Sequence, residues 1–113
     1  MKLEPGRKYL SLCTFAIHKA ASDFQLAFAA LRASNSGGND TLAREKGKEY
    51  DDSRVGHLVE NAVFVVSDTA VVPFKENGFA LHCALITTDD ITGWIITGDN
   101  DNDGREERKF RIV

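Results

Sequence analysis

Residues 79–97 read FALHCALITTDDITGWIIT, and this stretch decides the fold that the sequence predicts. Large apolar residues alternate with smaller ones from 79 to 85, and a period of two is typical of a β-strand. Two aspartates and a glycine then mark a turn, after which residues 94–97 form a second apolar run. Because short turns join antiparallel neighbours, we expect these two strands to pair with each other.

The flanking segments extend this pattern in both directions along the chain. Residues 62–66 and 70–72 are β-branched or aromatic runs, and Pro73 places the second run at a sheet edge or at its own end. Glu-Asn-Gly at 76–78 is a hairpin signal, and residues 109–113 are predicted as the strand that closes the meander. The sequence therefore predicts a meander of four to five antiparallel strands, either an open sheet or a small barrel.

One amphipathic helix is expected before this meander. Residues 8–18 alternate as a strand does, and Ser22 followed by Gln25 is a capping box that starts a helix. Residues 34–58 are polar and glycine-rich, which predicts a long loop with one helical turn near 42–46. The helix has apolar residues at i, i+3, i+4 and i+7, which are Phe24, Ala27, Phe28 and Leu31. We expect this stripe to pack on the sheet, giving an α+β fold in one domain of residues 1–113.

Composition limits the classes of partner. The chain has 113 residues, 42% of them apolar, with a net charge of −3 and a pI of about 5.5. A weakly acidic protein is not suited to broad nucleic-acid binding, and no apolar run approaches the ~20 residues that span a bilayer. Cys13 and Cys83 lie within apolar runs and do not form a disulfide framework. These features predict a cytoplasmic protein with reduced thiols and no membrane partner.

One acidic stretch resembles the start of a calcium-binding loop. Residues 99–104 read DNDNDG, which alternates oxygen ligands before a glycine. The twelfth position, where an EF-hand has a bidentate glutamate, is Phe110. An Asp-Gly hairpin turn is the alternative interpretation, and no other cofactor is predicted. The candidate calcium ligands are Asp99, Asp101, Asp103 and Glu107.

His82 and Trp94 are the candidate ligand-binding residues. His82 lies among Ala80, Ala84 and Ile86 on the less bulky side of its strand, which favours either a closely packed face or a pocket. Trp94 is the single tryptophan and follows a glycine at a strand start, where it serves as a core side chain or as a binding anchor. No arrangement of residues in the sequence identifies a catalytic group.

The back of the predicted helix is a candidate interface. Its residues are small and weakly apolar, which suits a close contact with a second copy or another protein. These residues are Leu26, Ala29, Ala30 and Ala33. The sequence therefore favours a small non-enzymatic binding module that associates with itself or with another protein. The first alternative is a small enzyme or ligand-binding protein with a pocket between helix and sheet lined by His82, and the second is a calcium-stabilised domain.

Overall fold

The computed structural model describes residues 3–35, 40–73, 80–99 and 109–113. These residues form two α-helices and a curled antiparallel sheet of seven strands, so the predicted α+β class is confirmed. The elements are β1 (Lys8–Ser11), β2 (Phe15–His18), a 3-10 helix (Ala21–Asp23), α1 (Phe24–Asn35), α2 (Asp40–Asp52), β3 (Arg54–Leu58), β4 (Val63–Pro73), β5 (Ala80–Thr88), β6 (Ile91–Asp99) and β7 (Phe110–Ile112). The prediction of one helix and four to five strands is wrong in these details.

The strands follow the order β3-β2-β6-β5-β4-β1-β7. The predicted meander is present in β4, β5 and β6, which are antiparallel neighbours. The last strand departs from the meander, because β6 is already paired on its other side with β2. β7 instead pairs with β1 at the opposite edge of the sheet.

Residues 8–18 form two strands rather than one. The hydroxyl of buried Ser11 donates a hydrogen bond to the Cys13 carbonyl, and the chain turns there. β1 and β2 lie near opposite ends of the strand order, although three residues connect them. This short connection is possible because the sheet curls, so that the rings of Phe15 in β2 and Phe110 in β7 stack at 5.1 Å between centroids.

The concave side of the curled sheet, which we call the inner face, holds the larger core. The rings of Tyr9 and Phe64 lie 5.9 Å apart, and those of Phe64 and Phe110 lie 5.5 Å apart. Burial of each such side chain contributes about 1.5–3 kcal/mol. The buried residues of this core are Leu3, Tyr9, Ile17, Leu58, Phe64, Val66, Ala84, Ile86, Ile95 and Phe110.

The predicted loop of residues 34–58 instead contains α2 and β3. No residue of α2 is buried, so its sequence lacks the apolar stripe that identifies a packed helix. It is rich in good helix formers, with Lys46 and Glu49 forming an ion pair at 3.5 Å. α2 packs along α1, and the two helices (Phe24–Asn35 and Asp40–Asp52), which we call the helical hairpin, lie on the outer, convex face of the sheet.

The hairpin is anchored at one end of α1. Phe24 is buried and Phe28 packs half-buried against the same core, whereas Leu31 is 55% exposed, so the predicted stripe loses its contact with the core towards the end of α1. Ser22 lies within the 3-10 helix instead of capping α1, and the Asp23 carboxylate accepts the Ala20 N–H at 2.8 Å. The buried residues of this outer-face core are Phe24, Val72, Leu81 and Cys83.

A glycine brings β2 close to β6. A Cβ atom on Gly93 would lie 2.5 Å from Cγ2 of Ile17 and 2.7 Å from the carbonyl oxygen of His18. Gly93 therefore allows β2 to approach β6, and this approach places His18 opposite Trp94.

Candidate functional site

A cleft of about 200 Å³ lies beside His82. Alternation along β5 directs Leu81 and Cys83 to the outer face, so His82 faces inward, opposite Val71 of β4. His82 therefore lines a cleft on the inner face, and not one between helix and sheet. The lining residues are Leu3, Thr69, Ala70, Val71, His82, Cys83 and Thr97.

The polar groups of the cleft differ in how far the protein satisfies them. The Thr97 hydroxyl donates to the His82 carbonyl at 3.1 Å, and Lys109 Nζ donates to the Thr97 carbonyl at 3.4 Å. In the described part of the chain, the half-buried His82 imidazole makes no hydrogen bond, nor does the Thr69 side chain. The cleft thus presents an imidazole and a hydroxyl whose hydrogen-bonding capacity is not used by any described residue.

Cys83 does not supply a nucleophile to this cleft. Its side chain belongs to the outer-face core and is 2% exposed. Burial raises the pKa of the thiol from 9.0 to about 12. Because the thiolate is the reactive form, this thiol is unreactive at neutral pH.

The cleft borders a stretch of β4 that lacks a second neighbour among the described residues. β1 pairs with β4 only up to Val65, and a bulge follows between Val66 and Asp68. At Val66 the N–H donates to the Arg7 carbonyl and the C=O accepts from the Gly6 N–H. Beyond the bulge, the described pairing of β4 is with β5 alone. The bulge lies between the two predicted runs, 62–66 and 70–72, which in fact form one strand.

The direction of the backbone groups along this stretch follows from the alternation of the strand. Residues of one strand that share a face also direct their N–H and C=O groups to the same side. Val66 faces inward and bonds towards β1, so Thr69 and Val71, which also face inward, direct their backbone groups away from β5. We call residues 67–73 the open edge of β4.

Most of the open edge is capped within the chain. The Thr69 N–H donates to the Asp68 carboxylate at 2.8 Å. Pro73 has no N–H, and its carbonyl accepts a hydrogen bond from Gln25 at 3.3 Å. Val71, which is 57% exposed, lies between these caps beside the cleft.

A second polar site, which the sequence did not indicate, lies between the outer face and the hairpin. His18 at the end of β2 is fully buried, and its Nδ1 lies 2.7 Å from the Ser53 hydroxyl. Its ring stacks on Tyr50 at 4.4 Å and meets the edge of Phe24 at 5.1 Å. We call these four residues the His18 cluster.

The hydrogen bonds assign the protons of this cluster. The Ser53 hydroxyl donates to the Tyr50 carbonyl at 2.7 Å, so it accepts from His18 and Nδ1 carries the proton. Nε2 of His18 is buried and has no hydrogen-bond partner within the described part of the chain. A neutral imidazole therefore keeps an unsatisfied lone pair at Nε2.

Burial controls the titration of both rings. Desolvation is the main reason why the pKa of His18 lies below 6.5, with the positive charge of Arg54 adding to the effect. Desolvation likewise raises the pKa of Tyr50 above 10.0. Both groups are therefore neutral at pH 7.

The His18 cluster is not evident from the sequence, because two of its members, Tyr50 and Ser53, lie in the segment predicted as loop. Ser53 is 35 residues from His18, and α2, which brings them together, has no apolar stripe. The one sequence signal for the cluster is the alternation along residues 15–18. Phe15 and Ile17 share one face of the strand, so His18 lies on the other.

The other predicted ligand-binding residue lies away from the cleft. Trp94 pairs with Leu85 and His18 and packs, half-buried, against the outer-face core. His82 and Trp94 therefore lie on opposite faces and do not share one site.

The predicted interface residues lie on α1. Leu26, Ala29 and Ala30 are half-buried, and Ala33 is buried at 7% exposure. Only the first three are accessible to a partner, and their role at an interface stays a prediction.

Of the predicted calcium ligands, Asp99 ends β6, and Asp101, Asp103 and Glu107 lie outside the described residues. Within the described ranges, no three His, Cys, Asp or Glu side chains are grouped to hold a metal ion. The calcium site also stays a prediction.

Comparisons with known proteins give no relative: no protein-family model matches the chain, and no curated protein or solved structure is significantly similar to it. Among the described residues, neither helix has the length and apolar character needed to cross a membrane.

Proposed function

We propose that this protein is a small non-enzymatic binding module that holds an extended protein segment at the His82 cleft and the open edge of β4. The observation that carries the proposal is the half-buried His82 imidazole, which faces a cleft and has no hydrogen-bond partner among the described residues. A half-buried polar group without a partner gains free energy when a ligand supplies one.

The size of the cleft favours a side chain over a larger molecule. Pockets for drug-sized ligands usually have about 300–1,000 Å³, and this cleft has about 200 Å³. Its walls combine apolar Leu3 and Val71 with polar His82 and Thr69. A single side chain with an apolar stem and a polar end fits this volume and lining.

The open edge supports the same ligand. Strand addition uses main-chain hydrogen bonds for affinity and pockets for alternate side chains for specificity. Val71 directs both backbone groups outward, and its side chain faces the cleft. A segment that pairs with Val71 would place an adjacent side chain over His82.

A second copy of the chain is the partner that this edge suits best, in agreement with the self-association predicted from the sequence. A two-fold axis at Val71 would pair two β4 edges antiparallel, because the N–H of each Val71 would then meet the C=O of the other. On either side of Val71, the Thr69 N–H and the Pro73 carbonyl are already bonded by Asp68 and Gln25.

Sedimentation velocity over a concentration series tests the self-association. We expect a reversible monomer–dimer equilibrium that Val71→Lys abolishes, because lysine on a strand edge opposes pairing. Val59→Lys is the matched control, since Val59 has a similar exposure (55%) and lies outside the cleft. Equal dimerisation of both variants would place the dimer contact elsewhere, and a strict monomer would leave another protein as the partner.

A peptide-display selection tests the cleft independently of the dimer. Peptides selected on the wild type should lose about fivefold in affinity on His82→Ala, the equivalent of one hydrogen bond. The exposed histidine of β3 gives the control, His57→Ala, which should bind as the wild type does. Selected peptides that ignore both His82→Ala and Val71→Lys would overturn the proposal.

A further inference from the structure

The His18 cluster lies where the helical hairpin joins the sheet. His18 ends β2, Phe24 begins α1, Tyr50 belongs to the last turn of α2, and Ser53 links α2 to β3. The Ser53 carbonyl also accepts the Lys19 N–H at 3.0 Å, which ties the same junction to the backbone after β2. A change in this cluster therefore acts on how the hairpin is held.

The cluster fits a neutral imidazole and does not fit a charged one. Proton uptake would create a second N–H on His18 at Nε2, where no acceptor lies within the described structure. The ring is fully buried between Tyr50 and Phe24, and their faces and edges supply no hydrogen-bond acceptor of ordinary strength. The charge is satisfied only if the ring reaches water, and this requires the hairpin to move.

We propose that the His18 cluster is a pH-sensitive latch, which holds the helical hairpin on the sheet while the imidazole is neutral and releases it when the imidazole takes up a proton. This inference is independent of the binding function proposed above, because the His82 cleft lies on the other face of the sheet.

The charged groups around the cluster lie on β3, on α2 and on the turn before α1, and together they do not stabilise the imidazolium. Arg54 and His57 of β3 oppose proton uptake, and Asp23 before α1 and Asp51 of α2 favour it. β6 contributes the uncharged Trp94. Desolvation exceeds each of these influences, and the pKa of His18 is consequently lowered.

The sign of the pH effect follows from this direction. A histidine whose pKa is lower in the closed state than in water stabilises that state fully above pH 6.5, and the stabilisation is lost as the pH falls towards the lowered value. Between those two values, closure weakens by at most tenfold per pH unit. Acidification is therefore expected to open the hairpin.

Opening is expected to be local, because the two cores are separate. His18 contacts the outer-face core through Phe24, whereas the rings of Tyr9, Phe64 and Phe110 form the inner-face core. The inner core keeps the sheet folded while the hairpin detaches.

Hydrogen exchange followed by mass spectrometry between pH 7.5 and pH 5, corrected for intrinsic rates, tests the latch. We expect peptides of α1 and α2 to lose protection by tenfold or more as the pH falls, and those of β4 and β5 to keep it. Parallel loss of protection in helices and strands would mean global acid unfolding and would overturn the proposal, as would unchanged protection of the helices.

Variants identify the titrating residue. His18→Asn keeps a hydrogen-bonding group near Ser53 but does not titrate in this range, so the protection of its helices, corrected for intrinsic exchange rates, should be independent of pH. His57→Asn is the matched control, because His57 is exposed on β3, and it should behave as the wild type. An unchanged pH response in His18→Asn would contradict the latch.

NMR of the wild type keeps the test decisive even where His18→Asn does not fold. The chemical shift of the imidazole Cε1–H of His18 should report a titration below pH 6.5. The fluorescence of Trp94, which pairs with His18 between β2 and β6, should change over the same pH range. Titration of His18 at or above pH 6.5, or a Trp94 signal that ignores it, would overturn the proposal.

Discussion

The two faces of the sheet each hold a histidine, and the two imidazoles differ in burial and in hydrogen bonding. His18 on the outer face is fully buried, with Nδ1 bonded to Ser53 and aromatic rings on two sides. His82 on the inner face is half-buried and lines a cleft without a hydrogen bond of its own within the described residues. The difference arises from what covers each face, because a helical hairpin closes the first site and the second lies beside an open strand edge.

The contrast shows that the local sequence indicates the environment of a histidine only where its neighbours lie on the same strand. The small neighbours of His82 indicated a pocket, and these neighbours lie on the same strand. Two members of the His18 cluster, Tyr50 and Ser53, lie more than 30 positions away from His18, so no local pattern contains the whole cluster.

Thiol labelling gives the largest expected difference between exposed and covered positions. Cys13 is exposed, whereas burial of Cys83 raises its pKa to about 12, so little thiolate exists at pH 7. We expect an aromatic disulfide reagent to modify Cys13 at least a thousandfold faster than Cys83 in the native protein. The Cys13→Ser variant isolates the slow thiol, and rapid labelling of that variant would show that the hairpin does not cover the outer face.

Removing the anchor of the hairpin is expected to have the next largest effect. Phe24→Ala should lower the free energy of unfolding by about 3–5 kcal/mol, because the ring is buried in the outer-face core. Leu31→Ala on the same helix, where the side chain is 55% exposed, should change it by less than about 0.5 kcal/mol. Urea denaturation measures both, and similar losses would mean that the whole stripe packs, as the sequence predicted.

The close approach of β2 to β6 gives a third test. Gly93→Ala should cost about 2 kcal/mol, since its Cβ would meet Ile17 and the His18 carbonyl. Gly47→Ala in α2, whose Cβ meets no atom within 4 Å, should instead stabilise the protein by about 1 kcal/mol. The two shifts in urea midpoint should therefore have opposite signs, and a stable Gly93→Ala would contradict the described position of β2.

Calcium is expected to have the smallest effect, and it tests the acidic stretch that includes Asp99. At a concentration tenfold above Kd, calcium bound to the native state adds about 1.4 kcal/mol, which raises Tm by several degrees. Calorimetry with millimolar calcium against a chelator measures this shift. Asp99→Asn should reduce it, and equal Tm values in both conditions would remove the calcium site.

The parts of the fold that were predictable are those with strong local patterns. The alternation in β5 and the aspartate turn before β6 predicted this pair of strands, because both signals lie within the paired segment itself. α2 has no buried residue, and its helicity comes from propensity and from packing along α1. The break between β1 and β2 depends on the curl of the sheet. The curl is evident where the ring of Phe15 in β2 stacks on that of Phe110 in β7, a long-range contact that no local pattern predicts.

The candidate site was predictable to the same limited extent. His82 was identified from its strand, but its face was assigned wrongly, because the helix was expected over the less bulky side. Trp94 lies on the other face from His82, and no sequence pattern relates the faces of two different strands. The pairing of β5 with β6, including the irregularity after His82, decides that relation.

The caps on the open edge of β4 determine how far an assembly can grow. With Asp68 holding one donor, Gln25 holding one acceptor and Pro73 lacking a donor, an added strand gains main-chain bonds chiefly at Val71. A strand pairing with so few main-chain hydrogen bonds favours exchange of partners over permanent association. It also blocks the repeated strand stacking that leads to fibrils.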